Sequence, residues 1–145
     1  MPYDPLSDAD IERVALGLLD RTLPKPQWTH AGHFAAALWL LRHLPDVDLP
    51  REMPAVIRSY NEAVGGVNSD TAGYHETITQ ASLRAARAFL HRYPPSQPLS
   101  RVLADLLASP LGHPDWLLDH WSKPRLFSVA ARRSWVEPDL QPLPF

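Results

Sequence analysis

The chain has 145 residues, enough for one domain with a real core, and 45% of them are apolar, which excludes an intrinsically disordered composition. Lys and Arg total 14 against 16 Asp and Glu, with no block of like charge, so the sequence carries no extended basic footprint for nucleic acid. Cysteine is absent, which removes disulfides, thiolate metal sites, iron–sulfur clusters and a cysteine nucleophile together.

The opening "MPYDPLSDADIERV" lacks a basic stretch followed by an apolar one, and the longest apolar run, "FAAALWLL" from Phe34 to Leu41, is too short to span a bilayer. The expectation is a cytoplasmic protein that contacts neither membrane nor nucleic acid. Ser7 precedes "DADIERVALGLLDRTL", where Ile11, Val14, Ala15, Leu18 and Leu19 recur at helical spacing, with Asp8 and Asp10 in the first turn. After a "PKPQW" link, Thr29 is placed to cap "HAGHFAAALWLLRHL", which stops at Pro45. The third segment, "PREMPAVIRSYNEAVGG", sets Met53, Val56, Ile57, Tyr60 and Val64 on one face, with Pro54 in its first turn and Gly65–Gly66 as a stop.

Ser69 or Asp70 is expected to cap a fourth helix, "TAGYHETITQASLRAARAFLHRY", ending at Pro94. "LSRVLADLLAS" is a shorter fifth helix, and "HPDWLLDHWSKPRLFSVAARRSW" is expected to hold two more short ones. "VEPDLQPLPF" is too rich in proline for either helix or strand and reads as an extended tail. The 16 prolines punctuate helical patterns, and no stretch alternates as a strand would. The fold expected is therefore all-α: a single domain over residues 1–145, a bundle of about five to seven helices with an extended C-terminal tail.

Short connections make successive helices antiparallel neighbours, so the start of the second, the end of the third and the start of the fourth should share one end of the bundle. That end would gather His30, His33, Tyr60, Asn61, Glu62 and the polar stretch "NSDTAGYHETIT" at residues 68–79. His30 continues a stripe with Phe34, Ala37, Leu41 and Leu44, and His75 one with Ile78, Ser82, Ala85 and Phe89, so both imidazoles are expected to point inward. Two imidazoles and a carboxylate are ordinary ligands for Zn, Ni, Fe or Mn; His30, His75 and Glu62 are the candidate set for a divalent metal. Glu76 or Asp70 would serve as proton acceptor if such a site activates water for hydrolysis, and His33, Tyr60, Asn61, Asn68 and Tyr74 would line it against a small-molecule ligand.

Each residue also has a plainer explanation. An inward histidine at a helix start can be a hydrogen-bonded core residue, Ser69, Asp70 and Thr71 suit a cap or turn, and buried tyrosines need only a partner for the hydroxyl. Two rival readings stay open: a metal-free anion site at two helix N-termini, and a protein-interaction module in which the His/Asp/Glu cluster is structural and the tail docks onto a partner or back onto the domain.

At "WTHAGH", "YNEAVGGVNSDTAGYHET" and "RLFSVAARRSWVEPDL" the chain resembles a family of small, all-helical bacterial proteins of unknown function with WTHxxH, YNExxG, NxDTxGYHET and VEPDL motifs. The resemblance extends over nearly the whole chain from Trp28 onward. It covers Trp28, Thr29, His30, His33, Tyr60, Asn61, Glu62, Asn68, Asp70, Thr71, Gly73, Tyr74, His75, Glu76 and Thr77; near the C-terminus Trp135 stands where the family has Phe. It implies a helical domain and a clustered site, and no particular reaction.

Overall fold

Ser7 opens the first helix, α1 (Asp8–Asp20), through a reciprocal cap: its hydroxyl accepts from the Asp10 N–H at 3.1 Å while the Asp10 carboxylate accepts from the Ser7 N–H at 3.1 Å. The computed structural model describes residues 6–145, so the first five residues of the expected domain lie outside it. Ile11, Val14, Ala15 and Leu18 are buried as the spacing predicts. Leu19 is 39% exposed instead, while Gly17 is buried close against Leu23. Arg21, at φ 65°, ends the helix in the left-handed conformation.

The second helix, α2 (His30–His43), is capped by Thr29, whose hydroxyl accepts from the Gly32 N–H at 3.1 Å. Phe34 through Leu38 are all buried, and so is Leu40. A helix apolar around its whole circumference belongs inside the protein. α2 packs on α1, on α4 (Glu76–Leu90) and on α5 (Leu99–Ala108), while α3 (Leu49–Ala63) lies against α1 and α4. α6 (Lys123–Leu126) and α7 (Val129–Arg133) complete seven α-helices, and no strand occurs among the described residues. The all-α bundle expected from the sequence is the observed architecture. No described helix is long and apolar enough to cross a membrane.

Three local features depart from the sequence expectation. Pro54 sits in the second turn of α3, not the first. It has no N–H to offer the Pro50 carbonyl, which instead accepts from Gln80 Nε2 of α4 at 2.8 Å. The fourth helix begins at Glu76, several residues later than expected, and its cap is His75 rather than Ser69 or Asp70. Gly73 at φ 82° breaks the helical path, and Asp70 is drawn outward to Arg133. The tail has no regular structure, yet it is laid back on the domain. Trp121 Nε1 donates to the Val136 carbonyl at 3.0 Å, Asp139 accepts from the Ser122 backbone N–H and hydroxyl at 2.7 Å each, and the Leu140 N–H donates to the His120 carbonyl at 2.9 Å.

Tyr60 is fully buried in α3 and donates its hydroxyl to the Leu23 carbonyl at 2.8 Å, tying α3 to the α1–α2 connection. Tyr60→Phe is expected to lower stability by about 1–2 kcal/mol, because it strips a partner from a buried carbonyl. Urea denaturation should show a lower midpoint at unchanged slope; an unshifted midpoint would mean the bond carries no net stability.

Candidate functional site

A cavity of about 430 Å³ opens between α2, α3 and α4, reaching from the end of the bundle where the polar residues were expected to meet into the middle turns of the helices. Its walls come from Trp28 and His33 with Ala36 and Ala37 of α2, from Met53, Ile57 and Asn61 of α3, from Gly73, Tyr74 and His75 of the connecting loop, and from Ile78, Thr79, Ser82 and Leu83 of α4. The two alanines leave room beside a helix otherwise packed tightly on its neighbours. A second, smaller chamber of about 270 Å³ shares Trp28, His33, Ile78 and Ser82 with it and reaches toward His30 and the segment around Trp116.

The loop wall is held by backbone geometry. Gly73 adopts φ 82°, and a Cβ there would lie 2.1 Å from the Val67 carbonyl oxygen. Asn68 works as an extra piece of backbone: its Oδ1 accepts from the Tyr74 N–H and from Asn61 Nδ2, each at 3.0 Å, while its Nδ2 donates to the Arg58 carbonyl at 3.1 Å and to Glu62 at 3.3 Å. From outside, Arg132 donates to the Gly73 and Tyr74 carbonyls, and Arg133 grips Asp70 with bonds of 2.8 and 2.6 Å.

His75 is buried with both nitrogens engaged. Nδ1 accepts from the Ile78 N–H at 3.1 Å, which leaves the proton on Nε2 to donate to the Leu126 carbonyl at 2.7 Å. Burial lowers its pKa, the Leu126 bond acts in the opposite sense, and Arg132 adds to the lowering, so the ring is held neutral. Thr77 completes this junction by donating to the Ser134 carbonyl at 2.9 Å and accepting from the Val136 N–H at 3.2 Å.

His33 is different. Its ring lies 4.0 Å from the Trp28 ring, centroid to centroid, and makes no side-chain hydrogen bond among the described residues. Desolvation among the packed side chains, with a smaller repulsion from His30, pushes its pKa down to about 4. The side chain is nevertheless exposed at the cleft, and the neutral imidazole that this direction favours at pH 7 has one donor and one acceptor to offer.

The residues expected from sequence divide accordingly. His33, Asn61, Tyr74 and His75 share the large cavity. His30 belongs to the smaller chamber, where its Nε2 meets the Leu111 carbonyl at 2.8 Å. Glu62 is exposed and bonded to Asn68. Among the described residues, no group of three or more His, Asp or Glu side chains is placed to hold a metal ion, so His30, Glu62 and His75 are not brought together. Ligation by His75 would have to break one of its two hydrogen bonds. Tyr60 and Asn68 are committed to the framework. Of the two candidate proton acceptors, Asp70 has its carboxyl held below the usual range by the Arg133 guanidinium, and Glu76 accepts from the Tyr74 hydroxyl and from Gln80. Burial and that Glu76 contact raise the Tyr74 phenol well above its ordinary value.

Sequence reasoning did not assign Trp28, Met53, Ile57, Thr79 or Leu83 to the site. Ser82 was the legible signal, a small polar gap in the apolar stripe of α4, and it lines the same cavity as the alanine pair of α2. Comparison with protein-family models, curated proteins and solved structures returned no match.

Gly73→Ala is expected to cost at least about 1 kcal/mol from its left-handed backbone, with the clash against Val67 added, and to lower the thermal midpoint. An unchanged midpoint would show that the loop can rearrange freely. For both His33 and His75 the folded-state pKa lies below the ordinary 6.5, so folding favours the neutral ring. The stability they contribute is complete above about pH 6.5 and is lost as pH falls toward the folded values, about 4 for His33. Urea midpoints measured between those limits should fall with acidification, and His33→Gln should flatten the fall.

Proposed function

We propose that the chain binds an uncharged small molecule, largely apolar and flat, in the cavity between α2, α3 and α4, with its one polar group on His33. The observation that carries this reading is the charge of the lining. None of the residues around the 430 Å³ space is Lys, Arg, Asp or Glu, and the two histidines have lowered pKa values. A charged ligand entering would lose its hydration with no counter-charge in return. The volume falls within the ~300–1,000 Å³ range of small-molecule sites, and an apolar body with a few convergent polar groups is the ordinary form of such sites.

The anion reading has less support. The N-termini of α2 and α4 already receive acceptors from their own cap residues, Thr29 and His75, and no cation lines the cavity. A metal at His30, Glu62 and His75 would require His75 to give up one of its two hydrogen bonds, and those side chains are not grouped to hold an ion among the described residues.

A thermal-shift series with 2-naphthol and 2-naphthoate distinguishes these readings. The neutral phenol is expected to raise the midpoint and the carboxylate to leave it unmoved, and His33→Ala should weaken naphthol binding about fivefold by removing one hydrogen bond. A preference for the carboxylate would replace this reading with the anion site. Silence toward every neutral aromatic probe would remove it.

A further inference from the structure

The smaller chamber beyond His33 has a chemistry of its own. Four aromatic side chains line it: Trp28, Phe34, Trp116 and Phe127. Trp116 and Phe34 are buried, whereas Phe127 is 59% exposed. Among all its lining residues a single one carries a full charge of fixed sign, Asp115, and no Lys or Arg offsets it. Asp115 stands directly before the short helical turn Trp116–Asp119, where an aspartate ordinarily gives its carboxylate to the backbone. Here it makes no such cap, and among the described residues it has no ion-pair partner.

We propose that this chamber binds the ammonium group of a small organic cation, with Asp115 as counter-charge and the rings of Trp28, Phe34, Trp116 and Phe127 as its walls. Aromatic π-systems attract a desolvated ammonium through their quadrupoles, and a carboxylate at the rim supplies the net charge. A metal cation suits the chamber less well, since Ca²⁺ or Mg²⁺ needs about six oxygen ligands and the aromatic walls supply none. At about 270 Å³ the space is below that of a drug-sized site and matches a compact head group. The two spaces share Trp28, His33, Ile78 and Ser82, and titration of the ligand-free chain keeps the test of this one separate from that of the larger cavity.

Calorimetric titration with choline chloride, against 3,3-dimethylbutan-1-ol as its uncharged isostere and at constant ionic strength, tests it. Choline should bind saturably at one site, with the alcohol about tenfold weaker, the difference expected for a desolvated cation on aromatic rings. Asp115→Asn and Phe127→Ala, both at exposed positions where the fold is not at stake, should each weaken choline about fivefold. Asp119→Asn, a neighbouring carboxylate outside the chamber, should leave it unchanged. Absence of saturable choline binding, equal affinity for the alcohol, or an Asp115→Asn variant that binds as well as the parent chain would each overturn the proposal.

Discussion

The burial of α2 on nearly every side is the constraint from which the rest of the molecule follows. A helix that is apolar from Phe34 to Leu38 must be surrounded, and α1, α4 and α5 take up positions around it. Alanines at three of those positions allow close approach, since a small side chain brings two helix axes together. Space not filled by Ala36 and Ala37, in the middle of α2, opens toward α3 and α4, between elements too well anchored to collapse into it.

That the space persists depends on how its loop wall is built. The stretch from Asn68 to His75 has no helix or strand of its own, and side-chain hydrogen bonds hold it in place over the apolar hollow. Asn68 supplies four hydrogen bonds, His75 two, and α7 reaches back with two arginines. Much of the richness that looks catalytic in the sequence is therefore framework. No buried side-chain polar atom among the described residues lacks a partner. The histidine left over is His33, held against Trp28 and open to the cleft.

Helix periodicity made the fold legible, because apolar spacing and proline breaks report directly on which faces are buried and where helices stop. Of the residues expected at one end of the bundle, His33, Asn61, Tyr74 and His75 do line a common cavity, although the connection from α3 to α4 is long rather than short. What periodicity could not convey was the partner of each polar residue. His75 is buried, though as the cap of α4 rather than as a residue of its apolar stripe, and its ring meets the Leu126 carbonyl, 51 positions along the chain, a contact that no local pattern encodes. The helix start was misplaced for a similar reason. Ser69 and Asp70 are better caps than histidine by propensity, but Gly73 turns the chain and Arg133 claims Asp70 through a tertiary contact. The apolar character of the cavity was hidden too, because Met53, Ile57 and Leu83 are indistinguishable in sequence from residues that fill a core.

Pro54 lends the helix pair a property that packing alone does not. An apolar contact between α3 and α4 would tolerate a slip of one helical turn, since one greasy ridge resembles the next. The carbonyl that Pro54 leaves without an intrahelical partner, at Pro50, can be answered only where Gln80 stands opposite it. A slipped pairing would forfeit this bond. The missing hydrogen bond thus acts as an address rather than an adhesive: it selects one alignment of α3 on α4 and so fixes which side chains face the cavity between them.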